Sequence, residues 1–96
     1  MKHYRVTIEE MNTESETVRI LVFEHQDRED LFNVVEQLKL GSGLDEALAT
    51  KVAVALRLLG PVMMQNRKHP LFEDFMPHFK RFMHNLKSTV KAAVKA

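Results

Sequence analysis

Apolar residues in this chain recur at every second position before Asp27 and at every third or fourth position after it. That single change of period dictates an α+β order, strands first and helices after. In residues 2–10, Tyr4, Val6 and Ile8 fall on one side and His3, Arg5, Thr7 and Glu9 on the other, which is the alternation of a half-buried strand. Residues 17–24 predict a second strand. Val18, Ile20 and Val22 lie on one of its faces and Leu21 and Phe23 on the other, so both faces of its second half require cover. The polar stretch between the strands, Met11-Asn12-Thr13-Glu14-Ser15-Glu16, has a length suited to an antiparallel hairpin. A lone two-stranded hairpin is marginal in water, so it must pack on helices or gain a strand from another chain.

Helix one is expected over about residues 28–39, where Leu31, Phe32, Val34, Val35 and Leu38 take helical spacing, opened by Asp27 with Asp30 three residues on and closed by Gly41. The loop Leu40-Gly41-Ser42-Gly43-Leu44 then leads to Asp45, the N-cap of a helix two that continues to about Lys68, because Pro70 turns His69 away from helical geometry. Inside it, Pro61 removes a hydrogen bond and its ring meets the carbonyl of Arg57. The expectation is a kink near Gly60-Pro61 or a break into two shorter helices. Thr50, Lys51, Arg57, Gln65 and Lys68 cluster in an arc of roughly 120°, which leaves roughly 240° of helix two almost wholly apolar. One neighbour cannot cover so wide an arc. Helix three is expected over residues 72–88, with Phe72, Phe75, Met76, Phe79, Phe82, Met83 and Leu86 as its stripe. Since Pro77 suits a first turn, residues 71–75 are either its start or a separate short turn. The expected architecture is one α+β domain over residues 1–88, an N-terminal antiparallel β-hairpin packed on three α-helices with the central one long. Residues 89–96 follow as a weakly ordered or helical C-terminal tail.

Composition removes several classes. Apolar residues at 45% and charged residues at 28% are ordinary for a globular protein, and zero cysteines exclude a disulfide framework, a thiolate nucleophile and a Cys-based metal site. The start Met1-Lys2-His3-Tyr4-Arg5 has no apolar secretory stretch, and Lys51, Arg57 and Gly60-Pro61 interrupt helix two, so the expected localisation is cytoplasmic, with no membrane. Charge is unevenly spread: residues 1–46 hold 5 Lys/Arg and 11 Asp/Glu, net −6, whereas residues 80–96 hold 5 and none, net +5. Lys80, His84, Lys87, Lys91 and Lys95 project as one basic ridge of helix three. The plainer reading is a solvated face whose cations also complement the negative end of the helix dipole. The phenylalanines of helix three are placed on its buried stripe and leave the ridge without stacking platforms, so nucleic acid is an unlikely partner.

No reactive constellation emerges. Asp74 and His78 are an i,i+4 pair able to face one ion, but His78 and His84, six apart, fall on opposing sides of a helix and two ligands do not close a site. Gly41-Ser42-Gly43 before a helix has the outline of a phosphate cradle, yet Asp45 and Glu46 occupy the first positions and would repel a phosphate. No G-x-S-x-G is present, and Ser15, Ser42 and Ser88 have no nearby histidine to act as base. Catalytic, cofactor and metal residues are therefore none.

The segment Asn66-Arg67-Lys68-His69-Pro70-Leu71-Phe72, followed by Phe75, Phe79 and Phe82-Met83, resembles the C-terminal half of a family of small uncharacterised bacterial proteins known as a domain of unknown function. The resemblance extends over nearly the whole chain. It implies a bacterial origin and an α+β fold, with no activity, catalytic residue or cofactor to carry over.

The expected function is a small non-catalytic protein–protein interaction module, a homodimer, with Leu21, Phe23, Leu56, Val62 and Met63 as the surplus apolar positions for self-association. An unidentified protein partner fits the same surface. The alternatives are a nucleic-acid accessory protein using the basic ridge, and after it a small enzyme or metal-binding protein.

Overall fold

The structure, a computed structural model, describes residues 1–95. Its elements are β1 (Lys2–Met11), β2 (Thr17–Asp27), α1 (Leu31–Gly41), α2 (Glu46–Gln65), α3 (Pro70–Glu73) and α4 (Met76–Lys95). The fold is α+β, an antiparallel N-terminal hairpin followed by helices. The chain divides into two compact units, Met1–Asp30 and the helical part from Leu31 onward.

In the first unit, β1 and β2 pair with Tyr4 opposite His25, Val6 opposite Phe23 and Ile8 opposite Leu21. Those six side chains therefore share one face. Met11 faces Thr17 while Glu10 faces Arg19, so Val18 is the extra residue of a β-bulge at the turn end. Arg19 Nε donates to Glu10 Oε1 at 2.6 Å and closes the bulge with an ion pair. Asn12 organises the turn. Its Oδ1 accepts from the backbone N–H of Glu14 at 2.9 Å and of Glu16 at 3.0 Å, and its carbonyl accepts from Ser15 N–H. Ser15 sits at φ 63°, the left-handed residue that ends a three-residue hairpin loop.

β2 runs three residues past its expected end. Asp27, expected to open helix one, instead closes the strand opposite Lys2, because pairing continues through the polar residues His25 and Gln26, where hydrophobic alternation gives no signal. Asp27 is buried, with Oδ2 3.3 Å from His25 Nε2 and Oδ1 accepting from Glu29 N–H at 3.0 Å. Tyr4 stacks on His25 and its hydroxyl donates to the Glu29 carbonyl at 3.2 Å. This knot fixes the point at which strand gives way to loop.

In the second unit, α1 packs on α2 and α4. One cluster joins Leu38, Ala49 and Ala53 with Val34, Val35, Val52, Leu86 and Val90. A second joins Met63, Met76 and Phe79 with Leu56, Phe72 and Met83. Small residues set the spacing. Gly41, the buried last residue of α1, lies where a Cβ would stand 2.9 Å from the Cα and the carbonyl oxygen of Val90. Gly41 therefore serves close helix approach, and the left-handed turn belongs to Gly43 at φ 84°.

α2 is one continuous helix of 20 residues through Pro61, not two. Asp45 caps it, Oδ1 accepting from Leu48 N–H at 2.8 Å. It stops at Gln65, short of the expected Lys68, because Asn66 turns both its backbone N–H and its side-chain amide onto the carbonyl of Val62. By length and composition α2 passes as a possible membrane span, so Lys51, Arg57 and Gly60-Pro61 do not interrupt it as expected. Only 22% of its apolar 18-residue stretch is buried within the protein, with Ala49, Ala53, Gly60 and Met63 as its buried residues. Pro70 starts α3, with His69 Nδ1 accepting from Leu71 N–H, and Pro77 lies in the first turn of α4. α4 then runs to Lys95; Ala96, the end of the expected tail, lies outside the described residues.

Candidate interaction surface

One face of the hairpin carries Tyr4, Val6, Ile8, Leu21 and Phe23 together. Val6 and Tyr4 are half-buried, whereas Ile8 is 54%, Leu21 58% and Phe23 38% exposed. The opposite face mixes Val22 and Ile20 with Arg5, Thr7, Glu9 and Glu24. Cross-strand pairing decides this sorting. Val6 and Ile8 of β1 join Leu21 and Phe23 of β2 because register partners share a face.

The five expected self-association residues separate. Leu21 and Phe23 are exposed on the hairpin and Val62 is exposed on α2. Met63 is 1% exposed, the largest fully buried side chain among the described residues, and Leu56, partly buried, packs against its cluster, so Met63 does not belong to a surface. The reason lies in the angular position of each residue. Met63 points with Ala49, Ala53 and Gly60 into the core, while Leu48, Leu59 and Val62 follow one another on a neighbouring, exposed stripe.

Lys80, His84, Lys87, Lys91 and Lys95 are all exposed along α4, and none forms an ion pair among the described residues. Phe79 is buried as expected, but Phe75 and Phe82 stand about half exposed, which corrects their assignment to a buried stripe. Phe82 falls on the far side of that stripe from the lysines, so the ridge still carries no aromatic platform.

The other candidates resolve into structural roles. Asp74 lies in the turn between α3 and α4, so it and His78 do not share one regular helix, and no three His, Asp or Glu residues converge among the described residues. Ser42 Oγ accepts from Leu44 N–H, and the N-terminus of α2 is satisfied by Asp45, so the Gly41-Ser42-Gly43 loop cradles its own chain. The Tyr4–His25–Asp27 knot escapes a sequence reading because it forms only once the strands are in register. Both Asp27 oxygens are engaged in holding the strand end.

A family model described as a domain of unknown function with a solved structure, DUF3861, matches residues 2–88. The chain is also similar to a protein of unknown function from the bacterium Pectobacterium atrosepticum, whose crystal structure was determined at 2.20 Å resolution. That protein is 38% identical, with a TM-score of 0.79, and the match covers 91% of this chain and 97% of that one. No curated protein matches the chain.

Proposed function

The chain belongs to the DUF3861 family of unknown function, and from that premise we propose that it is a small, non-catalytic, cytoplasmic interaction module that self-associates through its hairpin. The observation that supports this reading is the apolar face on which Ile8, Leu21 and Phe23 are exposed beside half-buried Val6, on a sheet of only two strands. Such a sheet gains independent stability from further strands or a packed layer. A second copy supplies either. Size-exclusion chromatography with light scattering is expected to give the mass of a dimer, and a monomer at high micromolar concentration overturns the reading.

A second reading rests on a different observation, the exposed cations of α4. Lys80, Lys87, Lys91 and Lys95 can follow a phosphate backbone, and binding of that kind weakens steeply with salt. The expected outcome under this reading is DNA or RNA binding at about 50 mM salt that is lost at higher ionic strength. No binding at the lower concentration ends it.

A further inference from the structure

β1 is an edge strand of ten residues whose only irregularity is at its turn end, and it contains no proline. An edge of that length is a template for another strand unless charge or shape blocks it. The charges of β1 are sorted along its length, with Lys2 and Arg5 in the first half and Glu9 and Glu10 in the second. Laid antiparallel on itself, the strand brings its basic half against its acidic half.

We propose that β1 pairs antiparallel with β1 of a second copy about a two-fold axis at Thr7, joining two hairpins into a four-stranded sheet. This rests on the self-association proposed above and says which edge carries it and in which register. With Thr7 opposite Thr7, each Arg5 faces Glu9 of the other copy and each Val6 faces Ile8. The apolar faces of both hairpins then lie on the same side of the sheet. A slip of one residue would put them on opposite sides.

The choice of register follows from which charges are already engaged. Glu10 is held by Arg19 within its own hairpin. Arg5 and Glu9 are exposed and form no ion pair among the described residues, although Arg5 has Glu24 as its register partner and Glu9 accepts from the Thr17 hydroxyl. Centring the axis on Thr7 matches those two. Centring it on Val6 would set Lys2 against the engaged Glu10, place the uncharged His3 opposite Glu9 and leave Arg5 opposite Thr7. The β2 edge is the poorer one. Arg19 is committed to Glu10, and Asp27 to His25 and Glu29.

The absence of native cysteine makes the register directly measurable. Residues facing each other across an antiparallel pair have Cα atoms about 4.5–5.5 Å apart, within the span a disulfide bridges. Under mild oxidation Thr7→Cys is expected to give a covalent dimer. Met11→Cys, whose two copies would lie about 27 Å apart along the strands, is expected to remain uncrosslinked. In parallel, Arg5→Glu places like charges opposite each other twice and is expected to weaken the dimer roughly tenfold, with Arg5→Glu/Glu9→Arg restoring it. A wild-type chain that is monomeric by light scattering overturns self-association itself. A dimeric wild type in which Thr7→Cys crosslinks no better than Met11→Cys, and in which Arg5→Glu is without effect, overturns the β1 pairing and leaves self-association standing.

Discussion

A methyl group added at Gly41 would stand 2.9 Å from both the Cα and the carbonyl oxygen of Val90, and neither is the movable end of a side chain. Gly41→Ala must therefore push α1 away from α4. The expected cost is about 1–3 kcal/mol, more than the roughly 1 kcal/mol that alanine's better helix propensity returns, and urea unfolding measures it. Met63 and Val62 give the opposite lesson about adjacent positions. Both fall within the wide apolar arc of α2, and hydropathy alone cannot separate them, because it reports how well a residue tolerates burial and not which neighbour arrives. The structure separates them clearly, with Met63 at 1% and Val62 at 46% exposed. Met63→Ala is expected to lower stability by about 2–5 kcal/mol, as for a buried side chain that leaves a cavity. Val62→Ala is expected to stay near the small effect of a surface change. Equal effects in denaturant unfolding would contradict the core described here.

Element type was legible from periodicity, and element ends were not. The strand pair and the helices follow from the switch in apolar spacing near Asp27, but β2 outruns that pattern because backbone pairing opposite Lys2 and His3 does not depend on apolar side chains. Of the two outcomes expected at Pro61, a kink or a break, the continuous α2 removes the break. A proline costs a helix one bond and some crowding, and packing of Ala53, Gly60 and Met63 on either side of it keeps α2 whole. The end of α4 is the third case. Val90, Ala93 and Val94 continue the apolar stripe only weakly, yet Val90 packs with Leu38 and Ala49 beside Gly41. Truncation after Ser88 is therefore expected to cost about 1–2 kcal/mol, part of what full burial of a valine contributes, through loss of Val90. Lys91 and Lys95 are exposed and add little to that loss. Thermal unfolding of the truncated chain checks it, and an unchanged midpoint would mean that the last turns of α4 do not hold α1.

At the scale of the whole molecule, a formal charge of +1 hides a chain whose first 46 residues carry −6 and whose last 17 carry +5. The two compact units also differ in burial: the helical unit owns two buried clusters, whereas the hairpin buries Asp27 beneath half-buried Tyr4 and His25 and leaves Ile8, Leu21 and Phe23 exposed. What covers that face was not legible in the sequence, because alternation marks a face that wants burial without identifying its cover. Regions with few buried contacts open most easily, and anything that binds only the closed form stabilises it by mass action. If a second copy closes on β1, the backbone amides at its outer edge should exchange more slowly as protein concentration rises above the dissociation constant. Because the monomeric fraction of a dimer falls as the inverse square root of total concentration, the slowing should approach about tenfold over a hundredfold range of concentration. Amides of α2 near Ala53, already shielded within one chain, should exchange at a rate independent of concentration. Hydrogen exchange read residue by residue at two concentrations separates the possibilities. Concentration dependence confined to β1 places the contact on its edge, dependence confined to the amides of β2 moves the contact to the other edge, and none at either strand leaves the hairpin stabilised within its own chain.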